Sequence, residues 1–255
     1  MRPDVLALKQ FYATPLGQLA ASRLSARLGW RDGQDIRDRR LLGLGYAVPY
    51  LPPALAAGAE RVVAFMPDRQ GAVAWPEPGP GLTVMGDDTA LPFPDALFDH
   101  VLLAHALEFV DHARGLLAEV WRVLAPGGTV TLLVPNRRSI WARLDVTPFG
   151  NGRPFSRAQL AALLNDSLLS PTDWRQALFM PPLLSPALIR ALAGLDRAGR
   201  LLWPGWGGVH IVRATKVIYA ARPRRKPLRR PMLAPALGAP MPSARVMVGA
   251  RSKPR

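Results

Sequence analysis

His105 and Glu108 stand three residues apart in the run "HVLLAHALEFV", residues 100–110. An imidazole placed where a buried strand ends can act as a base toward a hydroxyl or amine. It can equally be a histidine satisfied by a backbone carbonyl, and sequence alone leaves both readings open. "PNRRSIWARLD" (135–145) follows another apolar run and carries Asn136, Arg137, Arg138 and Arg143. "TPFGNGRPFS" (147–156) adds Arg153 between glycine and proline, on a segment able to serve as a lid. Guanidinium forks match carboxylate and phosphate, so Asn136, Arg137, Arg138 and Arg153 are candidates for an anionic substrate. The plainer reading is a solvated loop. A third feature is "LLGLGYAVPY" (41–50), a strand running into a glycine bend. Such turns cradle nucleotides, although Ala47 and Pro49 replace glycine here and no carboxylate is near. The four histidines show no metal-ligand spacing, so no metal is expected. His112 and His210 are expected at the surface or in packing.

Composition narrows the classes. The chain has 255 residues, 49% of them hydrophobic, enough for one α/β domain with a large core. It has no cysteine, which excludes disulfides, thiolate metal sites and cysteine nucleophiles. The N-terminus lacks the long apolar core of a signal peptide, and no run is long enough to span a bilayer. A cytoplasmic location fits these features. The net charge of +15 is uneven. Residues 222–255 carry ten Lys and Arg, seven Pro and no acid. We expect that segment to be a disordered basic tail, able to contact nucleic acid or an acidic surface. It lacks interleaved aromatics for base stacking.

The elements that must position these residues read as alternating helices and short apolar strands. A helix is expected over 5–29, broken or restarted at Pro15, then a strand and turn at 41–48. A short proline-broken helix follows. Strands are expected at 61–67, 82–88, from 100 and over 129–135, with a helix before Pro126-Gly127-Gly128. Ser156 and Gln159 form a capping-box pattern ahead of a helix at 157–168. Strands at 172–180 and 208–220 and a helix at 185–202 complete the reading. Trp203 and Trp206 are expected to pack the last strand. The pattern predicts a doubly wound, Rossmann-like, seven-stranded sheet, mostly parallel with one antiparallel strand. Its ligand edge lies beyond the carboxyl ends of the strands. The domain is expected over 1–221.

Residues 86–136 hold Gly86-Asp87, Leu91-Pro92-Phe93, Phe98-Asp99 and Arg122-Val123-Leu124-Ala125-Pro126-Gly127-Gly128, in that order. This stretch resembles the small class I S-adenosylmethionine-dependent methyltransferases, the type 11 methyltransferase domain. The resemblance implies S-adenosylmethionine as cofactor and Gly43, Gly45, Ala47, Met66, Asp87 and Asp88 as its binding positions. Asp87 and the peptide N–H of Asp88 are implied to hold adenine; the alternative is a turn cap. Asp99 is implied to be structural. Gly43 falls where the family has an acid that meets the methionine end. Gly45 is the family's first glycine, and Ala47 and Pro49 replace the next two. Met66 falls where the family has an acid on the ribose. His105 follows the strand where the family's substrate and methyl group meet, which makes it the catalytic candidate.

Two functions remain in play. The first is methyl transfer from S-adenosylmethionine to a small or anionic acceptor. The second is a non-catalytic methyltransferase-like binding protein with a degenerate cofactor site. The block at 86–128 favours the first; the altered loop and Met66 favour the second. Each missing carboxylate removes a charge-assisted hydrogen bond of about 1.5–3 kcal/mol, so weak cofactor binding is expected.

Overall fold

The computed structural model describes residues 2–28, 36–79, 81–182 and 205–218, all within a unit of residues 1–220. The helix expected at 185–202, Trp203 and the tail from 222 lie outside the described residues.

The N-terminal helix is two helices, α1 (Val5–Ala13) and α2 (Pro15–Leu28). Asp4 caps α1 by accepting from the Ala7 N–H at 2.7 Å. Thr14 separates the helices, and its hydroxyl accepts from the Gly17 N–H at 3.1 Å. Pro15 takes the first helical position, where a missing N–H costs nothing. The strands are β1 (Arg40–Gly45), β2 (Arg61–Pro67), β3 (Thr83–Gly86), β4 (Phe98–Ala104), β5 (Leu124–Pro135), β6 (Leu169–Ala177) and β7 (Val209–Lys216). Helices α3 (Pro52–Ala56), α4 (Ala113–Val123) and α5 (Arg157–Asp166) connect them. The Ser156–Gln159 capping box forms in both directions, at 3.2 and 3.0 Å.

The seven strands lie in the order β3-β2-β1-β4-β5-β7-β6, with β7 antiparallel to both neighbours. Strand order reverses between β1 and β4, so the crevice opens beyond Gly45 and Ala104, which pair across that join. Alternation along each strand divides the core. Leu41, Ala64, Met66 and Leu102 face α1 and α2; Leu42, Phe65, Val101 and Leu103 face α4 and α5. Both faces are covered, which is why the strands read as unbroken apolar runs.

Within the 86–128 block the turn and helix residues hold each other. Arg122 donates to the Leu91 and Phe93 carbonyls at 2.9 and 2.8 Å and to Asp95 and Glu119 at 2.7 Å each. Glu119 in turn accepts from the Leu91 N–H at 2.8 Å. Asp99 accepts from the Arg40 backbone and guanidinium at 2.9–3.3 Å, at the edge opposite the crevice.

Candidate active site

The crevice is built from the residues that end β1, β3 and β4, and α1 lies against it. Gly45 turns the chain at φ 81°, and a Cβ there would meet the Ala104 carbonyl. Glycine is therefore required by the β1–β4 approach. Ala47 sits at φ −87°, a conformation alanine accepts without strain, and Pro49 lies in a single 3-10 turn, Val48–Tyr50. Tyr46, Ala47 and Tyr50 are all buried.

The position of the family's missing acid is closed. A Cβ on Gly43 would lie 2.9 Å from the Ala47 Cβ and the Leu51 methyls. Met66 is fully buried in the cluster with Val5, Leu8 and Tyr12 of α1, and the Val73 N–H points at its sulfur at 3.4 Å. Asp68 is exposed, just after β2. At the end of β3, Asp87 Oδ1 accepts from the Thr89 N–H and hydroxyl, both at 2.7 Å. Those bonds hold its carboxyl below the usual range. Asp87 is thus a turn cap whose carboxylate remains exposed at the crevice edge. Asp88 pairs with Arg2 at 2.7 Å.

His105 follows β4 at φ 50°, a left-handed conformation that is uncommon for a residue with a Cβ. It is 2% exposed. Its Nε2 lies 2.7 Å from the Tyr12 hydroxyl, and that oxygen is 2.6 Å from the Tyr50 hydroxyl. Its Nδ1 faces Glu108 Oε1 at 3.4 Å. Its ring also lies 4.8 Å, centroid to centroid, from Phe149. Burial, with the Tyr50 neighbour, pushes Tyr12 well up; burial also raises Tyr50. Both phenols therefore stay protonated. Donation from the Tyr50 hydroxyl to Tyr12 and from the Tyr12 hydroxyl to His105 Nε2 is one consistent direction for these bonds, while Nδ1 makes no hydrogen bond. Glu108 is 2% exposed, and neither of its carboxylate oxygens has a hydrogen bond. A buried carboxylate without a donor is costly, which marks Glu108 as a group whose partner the described residues do not supply.

Of the arginine candidates, only Arg153 touches this cluster, through its backbone. Asn136 is buried, donates to the Gly205 and Gly207 carbonyls at 3.0 and 2.8 Å and accepts from the Arg138 N–H at 3.1 Å. Its amide is spent on holding the 205–208 turn. Arg137, Arg138 and Arg143 are exposed. Arg153 is exposed, 3.8 Å from Asp111, and its N–H donates to the Glu108 carbonyl at 2.8 Å. His112 is exposed and His210 is buried. Trp206 corrects the packing expectation. It is 49% exposed, with the Arg138 guanidinium over its ring. Tyr12 is the site residue that sequence reasoning missed. It lies 93 positions from its imidazole partner, and its phenol reads as one more member of a helix's apolar face.

A doubly wound sheet with β7 antiparallel beside β5, and a crevice at the β1–β4 switch point, defines the Rossmann-like class I methyltransferase architecture. Residues 42–132 match the family model described as a methyltransferase domain. Solved structures share the fold at low identity. An S-adenosylmethionine-dependent methyltransferase from Aquifex aeolicus superposes with a TM-score of 0.56 at 13% identity, over 82% of this chain and 97% of that one. A geranyl diphosphate methyltransferase in complex with GPP and sinefungin gives 0.53 at 17% identity, over 79% and 78%. Among curated relatives, demethylmenaquinone methyltransferase of Deinococcus radiodurans is 53% identical over 49 residues, 19% of this chain and 20% of that protein. Phthiotriol/phenolphthiotriol dimycocerosates methyltransferase of Mycobacterium tuberculosis is 44% identical over 88 residues, 32% of each chain. The matches thus span a fifth to a third of these relatives' length.

Proposed function

We propose that the chain transfers a methyl group from S-adenosylmethionine to a small or anionic acceptor, with His105 as the base. The observation that carries this reading is the buried Tyr12–His105–Glu108 chain at the carboxyl end of β4. The Nε2 nitrogen lies 2.7 Å from the Tyr12 hydroxyl, so its lone pair can serve as the proton acceptor. The Tyr12 hydroxyl marks the point that an acceptor O–H or N–H would take, so the acceptor reaches His105 by displacing Tyr12. His105 then holds the proton, and Glu108 steadies the imidazolium.

The residues fit the cofactor in an altered way. Asp87 offers an exposed carboxylate to the adenine amino group, and the Asp88 N–H offers a donor to the ring. Gly45 makes the turn that the chain needs at the switch point. Nothing at positions 43 or 66 can receive the methionine end or the ribose. Glu108, buried and without a donor, supports a reading in which it replaces the acid lost at Gly43. When bound, S-adenosylmethionine supplies a methyl group on a sulfonium, which needs orientation and a dry site rather than a metal or nucleophile.

The closed space at Gly43 and the buried Met66 favour a second reading, a non-catalytic protein that uses the same crevice for another ligand. Calorimetric and thermal-shift titration with S-adenosylmethionine and S-adenosylhomocysteine separates the two. Binding supports the enzyme. Neither heat nor shift at about millimolar ligand supports the second reading.

A further inference from the structure

The second concentration of unused chemistry lies at the other end of the sheet. A cavity of about 600 Å³ opens where β5 ends, β6 ends and β7 begins, lined among others by Arg27, Arg138, Arg157, Arg175, Trp174 and His210. No acidic residue lines it. Arg175 is largely committed: it pairs with Asp173 at 2.7 Å and donates to the Arg27 carbonyl at 3.0 Å. Arg138 and Arg157 are different. The Arg157 guanidinium carbon lies 5.0 Å from the Trp174 ring centroid, and that of Arg138 lies 5.8 Å from that of Trp206. Neither has a carboxylate partner among the described residues. A guanidinium laid on an indole keeps its N–H edge available for an anion. His210, 3% exposed, also lines the cavity. Its Nε2 has no partner of hydrogen-bond geometry, although the Phe155 carbonyl lies beside the ring.

A second cavity of about 350 Å³ shares Phe179 with the first and is lined mainly by apolar side chains, among them Ile140, Trp141, Leu178, Met180 and Trp206. Ile140 and Trp206 are each about half exposed, at 48% and 49%. Large apolar side chains left in water at the mouth of a cavity gain most from a ligand that covers them. Trp206 links the two halves, one edge toward the apolar cavity and Arg138 over its ring.

We infer that the two cavities together bind one amphiphilic anion, a phosphate or carboxylate held by Arg138 and Arg157 and an apolar body laid against Ile140, Trp206 and Phe179. Only the assignment of that ligand as the methyl acceptor rests on the methyltransferase reading. Trp141 gives the physical link, since its ring lies 5.7 Å from Phe149, which packs on His105.

The test titrates the full chain with decyl phosphate, decanoate, decanol and inorganic phosphate, by calorimetry and tryptophan fluorescence. At least one decyl anion should bind about tenfold or more tightly than both decanol and inorganic phosphate. The tighter of the two anions identifies the head group. The R138A/R157A variant should lose about tenfold in affinity for that anion while its weak decanol binding stays unchanged. R157K, which keeps charge without the fork, should lose less and guards against a folding defect in the double variant. Trp206→Ala should weaken the decyl anions and leave inorganic phosphate alone. Decanol binding as tightly as the anions, or both arginine variants binding like the wild type, would overturn the proposal. S-adenosylmethionine titrated separately reports on the methyltransferase reading, so either can fail without the other.

Discussion

A histidine held at φ 50°, buried, and bonded to a phenol on one nitrogen is over-determined by its neighbours. If that arrangement serves proton removal, His105→Gln should keep the Tyr12 contact and the fold while lowering kcat by about 10²–10⁴-fold. Cofactor affinity, read by calorimetry, should not move. Loss of cofactor binding with unchanged kcat would place His105 on the ligand instead. Two residue-scale features are independent of catalysis. Gly43→Asp, which would restore the family's acid, should destabilise the domain by about 1–3 kcal/mol or more, because Ala47 and Leu51 fill the space. Urea denaturation checks this; an unchanged midpoint would show that the loop yields. His210 carries a pH signature. Burial, helped by Arg157, brings it down to about 4, against about 6.5 for an unfolded imidazole. Protons then favour the unfolded chain between those values. Stability should be intact above about pH 6.5, decline as pH falls to about 4, and owe nothing more to this group below that. The full span is on the order of 3 kcal/mol. His210→Asn should flatten the stability profile in that window; an equal slope in the variant would assign it to other groups. At this scale sequence revealed residue types and strand-end positions. It hid contacts made by folding, such as Tyr12 with His105 and Arg2 with Asp88. No periodicity relates an N-terminal helix to the end of the fourth strand.

Elements were legible where burial on both faces produced unbroken apolar runs. β2 matches its expected span of 61–67 because every position except Arg61 and the half-buried Val63 is deeply covered. The expected strand at 172–180 lies three residues beyond the observed β6, Leu169–Ala177. It is an edge strand with mixed exposure, a proline at 171 and a register shift between Pro171 and Asp173, so no apolar run marks its start. The most specific sequence block, 86–128, proves to be largely a device for fixing elements to one another. Its arginine anchors α4 to the turn after β3, with four acceptors. Arg122→Ala should therefore lower stability by about 2–3 kcal/mol and leave cofactor affinity per folded molecule unchanged. A loss of affinity without loss of stability would show that the block acts on the ligand directly. α1 plays the opposite part. Its buried stripe of Val5, Leu8 and Tyr12 covers the crevice and supplies the phenol at His105.

For the whole molecule, the class I architecture was readable from alternation of elements and from the block in register. The state of the cofactor crevice was not, because it depends on which side chains fill the places of absent carboxylates. Residues 222–255 carry charge and proline without apolar periodicity, so truncation at 221 should leave the melting temperature of the remaining domain within a few degrees. A large drop would show that the segment packs on the body. We propose that the altered crevice receives S-adenosylmethionine, with the donorless Glu108 carboxylate in the role of the acid absent at position 43. Calorimetric titration of wild type and Glu108→Gln with S-adenosylmethionine tests it most directly. The wild type should bind measurably, and the variant should lose about tenfold or more in affinity at unchanged melting temperature. No heat with the wild type at about millimolar ligand, or equal affinity in the two proteins, would contradict it.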